Sequence, residues 1–137
     1  MTSSALRAES VPDVYDPSCS ARHALELIAS KWAMLILPAL AARPMRNAEL
    51  LRKIGGVSQK MLTQTLKELE RNGLVVRTDM KTMPSHVEYS LSPLGRSLSD
   101  ALAVLDRWAE RNFPELDAAR ERFDAGRAPV GKPLSGE

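Results

Sequence analysis

The side chains with the greatest chemical capacity lie between Ser58 and Arg71, in the run SQKMLTQTLKELER. Placed on a helix at about 100° per residue, Ser58, Thr65, Leu66 and Leu69 gather with Leu62 on one side, and Lys60, Gln64, Lys67 and Arg71 on the other. The first face packs. The second joins an amide, which donates and accepts at once, to cations suited to guanine acceptors or phosphate oxygens, the chemistry needed at a major groove. The same residue types also make an ordinary solvated helix face. The flanking chain has to choose between the two.

Cys19 is the other reactive group, and it is the one cysteine in 137 residues. A lone cysteine excludes an intrachain disulfide framework and a zinc finger. His23 stands four residues on, but two ligands do not make a metal site. Nothing pairs a nucleophile with a base, sets two carboxylates in a cleft or forms a glycine-rich phosphate loop, so neither an enzyme nor a cofactor is expected.

The chain has 44% hydrophobic and 26% charged residues, which fits one soluble domain with its own core. Its net charge is only +2, but from Arg43 to Lys81 there are nine Lys and Arg against four Asp and Glu. The basic charge surrounds the helix just described, where an anionic partner would need it. The N-terminus lacks an apolar run of signal-peptide length, and a single cysteine fits a reducing compartment. A cytoplasmic, nucleoid-associated protein with no membrane partner is the expectation.

The elements that hold the helix can be read outward from it. Residues 1–16 are polar and aperiodic and are expected to form a mobile arm. Ala24, Leu25, Leu27 and Ile28 mark a short helix, and Trp32, Leu35, Ile36 and Leu40 mark a second, starting at Lys31. Pro38 predicts a kink or an early end near Leu37. A third helix is predicted over Arg46 to Ile54, closed by Gly55 and Gly56, and Ser58 supplies the N-cap of the next. Helix, glycine turn and capped helix make a helix-turn-helix.

Beyond Gly73 the period becomes two. Leu74, Val76 and Thr78 on one run and Val87, Tyr89 and Leu91 on the other predict two strands, with Met80 to Ser85 as a protruding loop. Arg77 and Glu88 are expected on their polar faces, able to pair across the hairpin. Ser92 and Pro93 start a long helix whose apolar stripe is Leu94, Leu98, Ala101, Leu102, Leu105, Trp108 and Ala109. Such a stripe can serve its own chain's core, but the preceding elements already supply one, so with Leu25 it predicts a homodimer interface through Leu25, Leu98, Leu102, Leu105 and Trp108. The fold class is α+β, mostly α: a winged helix-turn-helix over residues 17–113 with a long C-terminal dimerisation helix. Residues 114–137 are expected to give a short charged helix through Phe123 and then a disordered tail.

With these residues in hand, the chain resembles the HxlR-type winged-helix transcriptional regulators of bacteria, related in architecture to MarR-type regulators. The resemblance runs from about Cys19 to Asn112 and is carried by ALELIASKW (Ala24 to Trp32), GVSQKMLTQTLKELERNGLVVR (Gly56 to Arg77) and PSHVEYSLSPLG (Pro84 to Gly95). It implies dimeric, sequence-specific binding of double-stranded DNA, usually at a palindromic operator and most often as a repressor. Two residues depart from the family pattern. Asn47 stands where an aromatic is common, and Pro38 where a helix-compatible residue is usual.

On this reading Ser58 caps the helix and meets a phosphate, Gln59, Lys60, Thr63 and Gln64 reach base edges, and Lys67 and Arg71 contact the backbone. In the wing, Arg77, Lys81 and Thr82 approach phosphates or the minor groove. Cys19 occupies the place, just before the first helix, where many family members carry a cysteine and several respond to oxidants or electrophiles. A helix N-terminus with Arg22 and His23 favours the thiolate, and Asp16 opposes it. The products open to it are a bond to Cys19 of a second subunit, a mixed disulfide or an alkyl adduct. The alternative is an inert cysteine packed at the dimer seam. Two other functions stay open: a winged-helix protein-interaction module, and a regulator controlled by a small-molecule effector without thiol sensing.

Overall fold

The computed structural model describes residues 11–127. Its elements are α1 (Ser20–Ile28), α2 (Lys31–Ala42), β1 (Met45–Arg46), α3 (Asn47–Lys53), α4 (Gln59–Arg71), β2 (Val75–Asp79), β3 (Val87–Leu91) and α5 (Pro93–Arg127). The chain divides into a compact unit ending at Asp100 and a second one beginning at Ala101, within α5. The first ten residues and the tail after Arg127, which belong to the expected arm and disordered tail, lie outside the described residues.

The core of the first unit is organised on α2, whose N-cap Ser30 accepts from the Ala33 amide at 3.2 Å. Ala33, Ile36, Leu37, Ala39 and Leu40 are buried along it. They explain why the helix runs through Pro38 to Ala42, so that of the expected kink or early end near Leu37 the early end does not occur. An interior proline costs about 3 kcal/mol. Each large buried aliphatic side chain returns roughly 1.5–3 kcal/mol, and Ile36, Leu37 and Leu40 flank the proline on both sides. Met45, Leu50, Ile54, Val57, Leu62, Leu66, Leu69, Leu74 and Val75 complete this core.

The turn between α3 and α4 passes through Gly56 at φ +88°, a conformation that a side chain disfavours. After α4, Gly73 at φ +76° lets the Leu74 amide return to the Leu69 carbonyl at 2.9 Å, which closes the helix and aims the chain into β2.

The sheet has three strands in the order β1-β3-β2, both pairings antiparallel. β1 was not anticipated, because two residues carry no period of their own; Met45 pairs with Tyr89 and Arg46 with Glu88. The hairpin register also moves an expected pair. Arg77 stands opposite Tyr89, and Glu88 opposite Thr78, so Arg77 and Glu88 do not face each other. Glu88 Oε2 instead lies 3.9 Å from Nε2 of His86. This helix-turn-helix with its hairpin is a winged helix.

Ser92 begins α5 in two ways: its hydroxyl donates to the Gly73 carbonyl at 2.6 Å and accepts from the Gly95 amide at 2.9 Å. The helix then continues for 35 residues through Pro114. A separate short helix after Pro114 is therefore replaced by a continuation, helped by the good helix formers from Glu115 to Arg120. Along it Leu102 is buried, Leu98 half-buried, and Leu105 and Trp108 are 53% and 51% exposed. Leu25 on α1 is 48% exposed. Of the expected interface residues, Leu102 thus serves the core of its own chain. At the described end of the N-terminal arm, Asp13 accepts from the Tyr15 amide at 2.9 Å and Asp16 from the Ser18 amide at 3.0 Å.

Candidate nucleic-acid interface

α4 is amphipathic as its spacing predicts. Leu62, Leu66 and Leu69 are buried, while Lys60, Gln64, Lys67 and Arg71 are exposed. Ser58 has the extended backbone of an N-cap and its hydroxyl accepts from the Met61 amide at 3.1 Å. The side chains of Lys60, Gln64 and Lys67 form no hydrogen bond or ion pair with other described residues, so their donors are open to an external acceptor. Arg71 differs, because its guanidinium meets Glu68 at 3.0 Å one turn back. Its charge is partly matched within the helix.

Gln59 and Thr63 are not independent side chains. The Gln59 amide nitrogen donates to Oδ1 of Asn47 at 2.7 Å and to Oγ1 of Thr63 at 3.0 Å. Asn47, the first residue of α3, thus belongs to the site. Sequence reasoning met it only as a departure from the family pattern. The start of α3 is itself fixed: Glu49 accepts from the Arg46 amide at 2.8 Å and pairs with Arg43 at 3.0 Å. The Arg46 amide, with the Arg43 guanidinium beside it, holds the Glu49 carboxyl below its ordinary value.

In the wing, Arg77, Lys81 and Thr82 are exposed. Lys81 adopts φ +53°, and its amide donates to Asp79 Oδ1 at 2.9 Å, so the turn is held by a side chain two residues back. Thr82 is occupied within the loop: its hydroxyl bonds the Pro84 carbonyl at 2.9 Å and lies 3.1 Å from His86 Nδ1. Arg46 Nη2 lies 3.3 Å from the same ring nitrogen. These contacts brace the wing base against β1, a role sequence reasoning did not give to Arg46 or His86, which has no periodic signature.

Cys19 is half-buried at the N-cap of α1. Its thiol is held below the ordinary range first by the Asp13 amide, which lies 3.5 Å from Sγ, and then by the Ala21 amide. Partial burial and the Asp16 charge act in the opposite direction. The expected help from the Arg22 cation takes another form. Its backbone amide contributes, while its guanidinium turns to Glu26 at 2.8 Å and to the carbonyls of Val14 and Tyr15. A concavity of about 520 Å³ opens beside the thiol, lined by Val11, Pro12, Asp16, Ser18 and Ala21. Among the described residues no three His, Cys, Asp or Glu side chains converge as metal ligands, and no single helix is long and apolar enough to cross a membrane.

Residues 27–117 match the family model described as HxlR-like helix-turn-helix. Among curated proteins, the chain is 44% identical over 109 residues to the uncharacterized HTH-type transcriptional regulator YtfH of Escherichia coli K12, spanning 80% of this chain and 86% of that protein. Among solved structures, it is similar to the putative transcriptional regulator ytfH from Salmonella typhimurium, with a TM-score of 0.75 and 43% identity over 81% of this chain and 99% of the other. It is also similar to the reduced form of the transcriptional regulator YodB from B. subtilis, with a TM-score of 0.60 and 34% identity over 67% and 90% of the two chains. YodB has been solved after diamide treatment too.

Proposed function

The chain belongs to the HxlR-like helix-turn-helix family, and from that premise we propose that this transcriptional regulator is a homodimer that binds a palindromic DNA operator and represses the adjacent gene. The observation that carries the reading is the outer face of α4, where Lys60, Gln64 and Lys67 stand exposed without internal partners on a capped helix. Lys60, Gln64 and the clamped Gln59 meet base edges in the major groove, and Ser58, Lys67 and Arg71 lie toward the backbone. Arg77 and Lys81 extend the contact from the wing to phosphates or the minor groove, and Thr82 shapes the loop that carries Lys81.

The dimer forms along α5 and α1, where Leu25, Leu105 and Trp108 each leave about half of their surface open and Val104, Phe113, Leu116 and Phe123 continue the apolar exposure. Large apolar side chains left half open in this number support burial against a second copy. Two copies present two recognition helices to two half-sites about one helical turn apart. Cys19 is the signal input. Its amide-stabilised thiol supports this, as does the likeness to a regulator solved both reduced and treated with diamide, a thiol oxidant.

Footprinting on the intergenic DNA beside the gene, with and without a thiol oxidant, tests the whole reading. A symmetric footprint released by oxidant in the native protein, and retained in Cys19→Ser, is expected. Absence of salt-sensitive DNA binding at low ionic strength would favour a protein-interaction module instead. Oxidant release that survives Cys19→Ser would remove the thiol from the mechanism.

A further inference from the structure

A side-chain amide nitrogen carries two hydrogens, and its carbonyl oxygen only accepts. Gln59, in the first turn of α4, uses both hydrogens inside the protein. One goes to Oδ1 of Asn47 at 2.7 Å and the other to Oγ1 of Thr63 at 3.0 Å. Neither acceptor is on a loose support. Thr63 sits one turn further along the same helix, and Asn47 projects from the start of α3, where Glu49 ties the backbone of Arg46 to the side chain of Arg43.

We infer that Asn47 is a positioning residue that leaves Gln59 only its amide oxygen to offer, making Gln59 an acceptor that selects an exocyclic amine, cytosine N4 or adenine N6, in the major groove. The inference rests on the DNA-binding reading above and deepens it. A free glutamine grips adenine with both halves of its amide, accepting from N6 and donating to N7. The clamped Gln59 has lost the donating half. It therefore tolerates adenine and cytosine alike, and meets guanine O6 or thymine O4 acceptor against acceptor. Removing the Asn47 oxygen frees the amide to rotate, returns its donor and admits guanine and thymine.

Selection from randomised duplex DNA, run in parallel on the native protein, Asn47→Ala, Asn47→Asp, Gln59→Ala and the Asn47→Ala/Gln59→Ala double variant, tests this. The native protein is expected to show one position per half-site restricted to cytosine or adenine on the contacted strand. In Asn47→Ala the restriction at that position falls roughly five- to tenfold, with the remaining positions unchanged. Asn47→Asp keeps an acceptor for Gln59, so it keeps the base order at that position while its added negative charge weakens binding to every sequence. Asn47→Ala changes nothing further once Gln59 is alanine. In the free protein, the Gln59 side-chain amide resonances shift in Asn47→Ala and stay near their native place in Asn47→Asp, a readout independent of DNA. A native motif that Asn47→Ala leaves intact, or loosens equally at all positions, overturns the assignment alone. A native protein that selects no motif overturns the DNA-binding reading and the assignment with it.

Discussion

Gly95, in the first turn of α5, lies against the carbonyl group of Leu74 so closely that a β-carbon there would overlap the oxygen and stand 3.0 Å from the carbonyl carbon. The obstacle is backbone, already bound to Ser92 through its amide, and it cannot swing aside as a side chain can. Gly95→Ala is therefore expected to lower unfolding free energy by roughly 1–3 kcal/mol in urea titration, the range of an overpacked core. Gly55→Ala is the control, since a β-carbon at Gly55 meets nothing within 4 Å. An unchanged midpoint for Gly95→Ala would show that the start of α5 can move off Leu74 freely.

Gln64 and Lys81 should fail in different ways. Gln64→Ala is expected to relax base preference with little change in the dependence of binding on salt. Lys81→Ala should weaken operator and random DNA together and flatten the salt slope by about one unit. The measurement is affinity for both DNAs across a salt series. Equal losses from both variants would show that helix and wing do not divide specificity from anchoring.

The Cys19 thiol, held low by the Asp13 and Ala21 amides, should react with iodoacetamide at a lower pH than a cysteine in the unfolded chain. Asp16 raises the thiol, so Asp16→Asn, which keeps an acceptor for Ser18, is expected to speed alkylation near neutrality. Alkylation rate against pH, in buffer and in denaturant, checks both statements. A slower Asp16→Asn protein would mean that the Asp13 to Ser18 turns matter more than the charge.

Glu49 gives the fold a pH dependence whose sign follows from its lowered carboxyl. Its contribution is complete above the unfolded value of about 4.5, and it is lost as the pH falls through the lower folded value. Glu49→Gln should be less stable than the native protein near neutrality, and the gap should close under acid conditions. Urea midpoints measured across pH will show it. A gap that persists in acid would assign the effect to packing.

Leu102 and Trp108 lie six residues apart on α5 and should report on different things. Leu102, 2% exposed, belongs to the core of its own chain, and Leu102→Ala should cost about 2–5 kcal/mol of stability. Trp108→Glu, at a side chain half open to solvent, should leave the helical spectrum intact and shift sedimentation toward the monomer. A Trp108→Glu protein of unchanged mass would count against the proposed dimer contact at this side chain.

What the sequence makes legible is what is local. Ser58 and Ser92 are caps because a hydroxyl just before an apolar period has few other uses, and the wing strands are read from their alternation. The contacts that tune the site join residues distant in sequence. Asn47 meets Gln59 across two helices, Arg46 reaches His86 across 40 residues, and β1 exists only because β3 passes beside it. The early end expected at Pro38 and the break expected at Pro114 fail for a related reason. A proline states its local cost, whereas the packing and helix propensity that outweigh it are spread over the neighbouring turns.

The three-stranded sheet separates the wing into a fixed base and a replaceable tip. Pairing ends at Asp79 and Val87, a last bond joins the Met80 amide to the His86 carbonyl at 2.9 Å, and residues 81–85 hang beyond it. The base is clamped on its far side by β1. A new tip of altered length or charge can therefore be spliced between Met80 and His86 with α4 left in register. On the proposed DNA-binding reading, the wing tip is an exchangeable cassette, whereas the first turn of α4 has to be redesigned together with Asn47.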